Sequence, residues 1–145
     1  MQKPKLVYTT YIRSTPKAVW AAITKPEFTR KYWGDMSNAS DWEKGSDWQH
    51  LNPDNEVWIK GKVVESRPPT KLVLSWIDPD KTADKSRVTF EIEPAGKMVC
   101  LVVTHDRFSK GSDMDKKVSK GWPMVLSSLK SYLETGKGLD IFCKG

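Results

Sequence analysis

Residues Ser112 to Gly136, SDMDKKVSKGWPMVLSSLKSYLETG, constrain this chain more than any other stretch. Val118, Trp122, Val125, Leu126, Leu129 and Leu133 recur at i, i+4, i+7, i+8, i+11 and i+15, which places them on one stripe of an α-helix. Ser112 with Asp115 three residues on reads as an N-cap box, and Gly136 as the left-handed stop. Gly121-Trp122-Pro123 interrupts the middle. Pro123 offers no N–H and its ring crowds the carbonyl of Ser119, so a bend is expected there. A helix of this length with one apolar stripe needs an apolar surface to lie on, and the rest of the chain must supply it.

The preceding residues read as strands. Leu6–Arg13 (LVYTTYIR) is rich in β-branched and aromatic side chains. Thr15 and Pro16 then cap and open a short helix carrying Val19, Trp20 and Ile23, and Pro26 opens a second that ends near Tyr32-Trp33-Gly34. From residue 39 on, turn chemistry alternates with strand patterns. Asp41-Trp42 and Asp47–Leu51 flank a turn at Glu43–Ser46, and Asn52–Asn55 is the next turn. Glu56–Glu65, Lys71–Ile77, Arg87–Glu93 and Met98–Arg107 are strands, with a polar loop from Asp78 to about Lys85 and a hairpin turn at Pro94–Lys97. In RVTFEIE, Val88, Phe90 and Ile92 face in and Arg87, Thr89, Glu91 and Glu93 face out.

Short connections between successive strands mean an antiparallel meander, because parallel neighbours need a crossover of about a dozen residues. The expectation is an α+β protein: one domain over 1–145, a curved antiparallel sheet wrapped around a long C-terminal helix, and two short helices after the first strand. A chain of 145 residues suits one domain with a core of its own.

Bulk properties exclude several functions. No run approaches the roughly 18 apolar residues of a membrane span, and MQKPKLVYTT has no signal-peptide core. Cys100 and Cys143 form no CxxC pair, so a cytoplasmic protein with reduced thiols is expected. The net charge of +6 is concentrated at the start, with seven basic against two acidic residues in the first forty and seventeen against sixteen in the rest. No arginine-rich tract, zinc-finger spacing or aromatic RNA-binding signature accompanies it, so the charge reads as a solvated face and not as a nucleic-acid site. Two histidines without clustered acids fall short of a zinc site, and no phosphate-binding glycine loop, nucleophile elbow or paired-acid motif is present, so no cofactor is expected.

At the first joints stand Tyr11-Ile12, Pro16, Val19-Trp20, Lys25-Pro26-Glu27 and Tyr32-Trp33. Through the strands run Gly45, Gly61-Lys62-Val63, Pro68-Pro69, Lys71-Leu72-Val73, Trp76, Val88-Thr89-Phe90 and Thr104-His105. Along the final helix come Gly121-Trp122-Pro123, Leu126, Leu129-Lys130 and Leu133–Gly136. With these residues at its joints, the order of elements resembles the helix-grip fold of the START-like (SRPBCC) superfamily. Within it, the chain is similar to the group related to the C-terminal domain of the heat-shock-protein-90 ATPase activator. The resemblance implies a hydrophobic cavity between sheet and helix, used across the superfamily for lipids, sterols and polyketides, and it does not imply an enzyme. The activator proteins also have an N-terminal domain that binds and stimulates the chaperone; this sequence reads as lacking it.

Seven tryptophans give such a cavity its candidate wall, since each offers a large apolar area and an N–H that needs a partner when buried. Trp33, Trp76 and Trp122 stand near joints between helix and sheet; Trp42 and Trp48 flank the mouth. Trp58, Gly61, Phe90, His105, Val125, Leu126 and Leu129 complete the ligand-binding set. Gly61, in mid-strand, leaves room either for a ligand or for a close backbone approach. His105 alternates with Leu101 and Val103 and so can face the cavity, as a satisfied, half-exposed ring or as a weak base. The expectation is a monomeric, non-enzymatic binder of a small hydrophobic or aromatic molecule, lipid-, polyketide- or flavonoid-like. One alternative is a stress-related, chaperone-associated protein-binding module using Lys3, Lys5, Arg13 and Lys17; another is a cyclase- or hydrolase-type enzyme using His105.

Overall fold

The computed structural model describes residues 5–141. The Lys3 and Cys143 positions of the sequence reading lie outside them. Strand β1 (Leu6–Ile12) leads into helices α1 (Pro16–Thr24) and α2 (Pro26–Tyr32). Strands β2 (Ser37–Ala39), β3 (Asp47–Leu51), β4 (Val57–Arg67), β5 (Lys71–Asp78), β6 (Lys81–Ala95) and β7 (Met98–Asp106) follow, and helix α3 (Met114–Thr135) comes last. Among the described residues the seven strands form one curled antiparallel sheet in the order β1-β7-β6-β5-β4-β3-β2. This is the α+β helix-grip architecture: the sheet curls as a half-barrel around α3, and the two short helices precede the meander.

Local chemistry explains most boundaries. The Thr15 hydroxyl accepts the Ala18 N–H at 3.2 Å and Pro16 opens α1, as the sequence predicts. Gly136, at φ 86°, ends α3 with its N–H on the Tyr132 carbonyl. Three expectations need correction. The N-cap of α3 is Asp113 rather than Ser112; the Ser112 hydroxyl instead accepts the Met114 N–H at 3.0 Å and donates to Asp84. The polar stretch 81–85 is strand, because Asp78 already pairs with Lys81 across a tight turn and β6 runs on opposite β5. The strand paired with β3 is Ser37–Ala39, upstream of Asp41-Trp42, and those two residues lie in the loop, Trp42 with φ 62°.

The core forms where the inward sides of the strands meet α3. Leu72, Leu74, Val88, Phe90, Ile92, Val99, Leu101 and Val103 present one buried face, and Trp122, Val125, Leu126 and Leu129 press on it from the helix. Burying each such side chain contributes about 1.5–3 kcal/mol, so the stripe outweighs the low intrinsic stability of the isolated helix. The chain after α3 is tied back onto it. The Ser128 hydroxyl accepts the Leu139 N–H at 2.8 Å, and Gly138 lies so close to α2 that an added Cβ would stand 2.5 Å from the Lys31 carbonyl oxygen.

Candidate functional site

The strand period of two brings chemistry to the inner face of the sheet. On β3, Trp48 and His50 both point inward; on β5, Trp76 follows Leu72 and Leu74 on the buried side; on β6 and β7, Ser86 and Phe90 meet Leu101, Val103 and His105. Trp33, at the C-terminus of α2, and Trp122, on α3, close the group from the helical side. The rings touch one another. Trp76 has its centroid 5.6 Å from Trp48, 5.2 Å from His105 and 5.8 Å from Trp122. Trp33 lies 5.6 Å from Trp122 and 4.9 Å from His50. Phe90 approaches Trp122 at 6.0 Å, and Phe108 stacks on His105 at 4.6 Å. The walls of the expected cavity thus stand in mutual contact.

The histidines are wired into the cluster by side-chain hydrogen bonds. The indole N–H of Trp122 donates to His105 Nδ1 at 3.0 Å. An indole can only donate, so Nδ1 carries the lone pair and the ring proton sits on Nε2. That proton faces the Ser86 hydroxyl at 2.7 Å, and the hydroxyl turns toward the Trp76 carbonyl at 3.5 Å. The ring is 0% exposed, not half-exposed, and burial pushes its pKa down to about 3. His50 forms a second unit. The Asn38 amide donates to the Ile23 carbonyl at 3.2 Å, which leaves its oxygen to accept from His50 Nδ1 at 2.7 Å. Burial pushes His50 down to about 4. Both rings are therefore neutral near pH 7.

One polar atom in the cluster is different. The indole nitrogen of Trp76 is buried and, among the described residues, has no hydrogen-bond partner. Trp48 and Trp122 show the ordinary outcome: each donates, Trp48 to the Ser75 carbonyl at 2.7 Å. A buried donor without an acceptor costs about 1–3 kcal/mol, so the arrangement around Trp76 carries a penalty that its neighbours avoid.

Trp33, Trp48, Trp76, Phe90, His105, Trp122, Val125, Leu126 and Leu129 are all buried in the same core. Trp42 is half-buried at its margin. Trp58 does not belong there: its side of β4 faces outward and the residue is 60% exposed. Gly61 sits where β4 passes under a side chain. It pairs with Trp48 on one side, and an added Cβ would run into the Ser75 carbonyl on the other, the group that accepts the Trp48 indole. Its missing side chain makes room for that crossing.

The sequence reading missed His50, Asn38, Ser86 and Phe108. His50 was accessible in principle, since it lies two residues after Trp48 and so shares its face. Asn38, Ser86 and Phe108 lie in stretches that read as polar connections, and only pairing with distant residues turns them inward.

Elsewhere, an open groove of about 540 Å³ between α2 and the chain after α3 is lined by Glu27, Arg30, Lys31, Asp35 and Lys137 with Gly136 and Gly138. Its charges of both signs set it apart from the aromatic interior. Among the described residues no helix is long and apolar enough to cross a membrane, and no group of three potential metal-ligating side chains occurs.

The architecture recurs in solved structures. An HSP90 activator from Plasmodium falciparum superposes with TM-score 0.76 at 19% identity, over 89% of this chain and 95% of that one. The Aha1 dimer from Colwellia psychrerythraea gives TM-score 0.73 at 20% identity, over 93% and 99% of the two chains. CalU16 from Micromonospora echinospora gives TM-score 0.70 at 20% identity, over 88% and 73%. At these identities the likeness speaks for the fold alone. None of the curated protein sequences compared with this chain matches it. The family model described as "Activator of Hsp90 ATPase homolog 1-like protein" matches residues 13–134, most of the chain and every element from α1 to the last turn of α3. The chain belongs to the activator of Hsp90 ATPase homolog 1-like family.

Proposed function

We propose that the protein binds a small hydrophobic or aromatic molecule between the sheet and α3, without turning it over. The observation that carries this reading is the convergence of Trp33, Trp48, Trp76, Phe90 and Trp122 on one buried spot where the Trp76 indole N–H has no partner. A core selected only for stability gains nothing from a buried donor left unpaired, whereas a site that receives a ligand holds such donors ready. Because the rings touch, an entering molecule exchanges ring–ring contacts for ring–ligand contacts of similar kind. The engagement of both His105 nitrogens, by Trp122 and by Ser86, supports binding rather than chemistry, since it leaves the ring no free lone pair to act as a base.

The test is a screen of lipids, polyketide-like aromatics and flavonoids by thermal shift and tryptophan fluorescence. A ligand of this site raises Tm and quenches emission. A protein unresponsive across the whole screen overturns the reading.

A chaperone-associated role is the second reading. It is favoured by the family itself and by the likeness to the Plasmodium HSP90 activator. Its contact would be the basic face with Lys5, Arg13 and Lys17. Capture of Hsp90 that survives moderate salt and is lost when these three charges are reversed supports it; failure of the unaltered chain to retain Hsp90 rejects it. Both readings suit a cytoplasmic protein.

A further inference from the structure

We propose that the convex face of the sheet around Trp58 docks an acidic segment of a partner protein, which lays an apolar side chain on Trp58 and Ile77 and sets carboxylates over Lys60 and Lys85. This surface lies on the opposite side of the sheet from the aromatic interior, so the inference stands whether or not that interior takes a small molecule.

Trp33, Trp48, Trp76 and Trp122 are buried and Trp20 and Trp42 half-buried, whereas Trp58 is 60% exposed. Along β4 the exposed residues Trp58, Lys60 and Lys62 alternate with Ile59, Gly61 and Val63 on the inner side. The register carries this outer row across the sheet. Lys60 stands opposite Ile77 on β5, Ile77 stands opposite Lys85 on β6, and Ser75 stands opposite Arg87. Paired strands lie about 4.8 Å apart, so Lys60 and Lys85 rise about 10 Å from each other with the half-buried Ile77 between them. Among the described residues, Lys60, Lys85 and Arg87 take part in no ion pair, in contrast to Lys62, which Asp47 holds at 2.6 Å. An indole left in water adds no burial to this fold. Tryptophan is the residue type most enriched among the anchors of protein interfaces, and uncommitted charges around such an anchor select a partner of opposite sign.

The acids that border the patch decide which kind of anion fits. Asp47 sits on Lys62, Asp106 stands opposite Arg87, and Asp78 follows Ile77 directly. A nucleic-acid backbone or an anionic membrane, charged throughout, would press against all three carboxylates at once. One exposed ring also stacks only one base, where single-stranded sites stack several in succession. A protein segment can place carboxylates opposite Lys60 and Lys85 alone and turn neutral groups toward Asp47, Asp78 and Asp106.

The probe is a short fluorescein-labelled peptide in which glutamates flank a central leucine, and its control carries glutamine in place of each glutamate. Binding is followed by fluorescence anisotropy on the wild-type chain, on Trp58→Ser, on the double variant Lys60→Glu/Lys85→Glu, and on Arg13→Glu/Lys17→Glu, which reverses two charges at the other end of the sheet. All five side chains are exposed, so the variants should keep the wild-type Tm. We expect the acidic peptide to bind the wild type, about tenfold more weakly in Trp58→Ser, and not at all in Lys60→Glu/Lys85→Glu. Arg13→Glu/Lys17→Glu should bind as the wild type does, and the glutamine peptide should not bind. The bound peptide should also shield part of the wild-type tryptophan emission from acrylamide, a protection absent in Trp58→Ser. Full affinity in Trp58→Ser overturns the proposal. So does a loss in Arg13→Glu/Lys17→Glu equal to that in the Lys60/Lys85 variant, which would mean diffuse attraction by net charge. Absence of peptide binding overturns it as well. A single-stranded oligothymidylate or a phosphatidylserine vesicle that binds more tightly than the peptide, and is lost in the same variants, overturns the assignment to a protein partner. Should a variant fail to fold, the acrylamide protection and the glutamine control decide on the wild type alone.

Discussion

The hydroxyl of Tyr8 on β1 donates to the main-chain carbonyl of Ser119 on α3 at 3.2 Å. That carbonyl is the one that residue 123 would serve in an unbroken helix, and residue 123 is proline. The strand therefore supplies from 111 residues away the donor that the helix lacks, and α3 runs on through Pro123 to Thr135.

Removing that hydroxyl should cost about 0.5–1.5 kcal/mol, the ordinary contribution of one hydrogen bond. Tyr8→Phe tests it by urea unfolding. In a Pro123→Ala background the helix regains its own N–H, and the cost of Tyr8→Phe should shrink toward zero. An undiminished cost in that background would show that Tyr8 acts through packing alone.

Gly61 offers a sharper case. Its Cβ position is taken by the Ser75 carbonyl over which the Trp48 indole reaches, so Gly61→Ala must push β4 away from β5 or break the Trp48 hydrogen bond. Overpacking of this kind costs about 1–3 kcal/mol or more. Thermal and urea unfolding should show a clear loss for Gly61→Ala. Unchanged stability, with a loss of ligand affinity only, would assign the glycine to the ligand instead.

Acid should weaken the fold in a defined window. Above pH 6.5 both histidines are neutral in the folded and the unfolded chain, and neither contributes a pH dependence. Below it the unfolded chain takes up protons that His50 and His105 refuse until about pH 4 and about pH 3. Unfolding then consumes up to two protons, and stability falls as pH drops from 6.5 toward 4. Each unit of displacement corresponds to about 1.4 kcal/mol, so the loss by pH 4 amounts to several kcal/mol. The chain has just two histidines, so urea midpoints between pH 7 and pH 5 report on this pair before the carboxylates titrate. Midpoints constant over that range would contradict the burial of neutral rings.

The tautomer of His105 is a further expectation. With Trp122 donating to Nδ1, the imidazole proton belongs on Nε2. Ring nitrogen shifts of the wild type should show that single tautomer at pH 7. Trp122→Phe removes the donor while keeping an aromatic side chain, and should yield a mixture of tautomers together with a loss of about 1–3 kcal/mol from the unpaired nitrogen. A single Nε2–H form surviving in Trp122→Phe would show that Ser86 alone sets it.

The sequence by itself determined the elements whose signal is local. The stripe from Val118 to Leu133, the Thr15-Pro16 start, the Gly136 stop and the alternation in Arg87–Glu93 all depend on residues within a turn or two of each other, and each stands where expected. Short connections then forced an antiparallel meander, because nothing else can join strands over so few residues. The tertiary structure decided whatever depends on contact between distant parts. Residues 81–85 look like a polar loop and become strand because β5 lies opposite to pair with them. His50, Asn38 and Ser86 carry no motif, yet the sheet register sets them against Trp33, Trp76 and His105, and Phe108, just past the end of β7, stacks on His105. Local patterning names which face of an element is apolar; which atoms meet across the core, and which donor is left over at Trp76, follows only once residues as far apart in sequence as Leu6 and His105 have found their register.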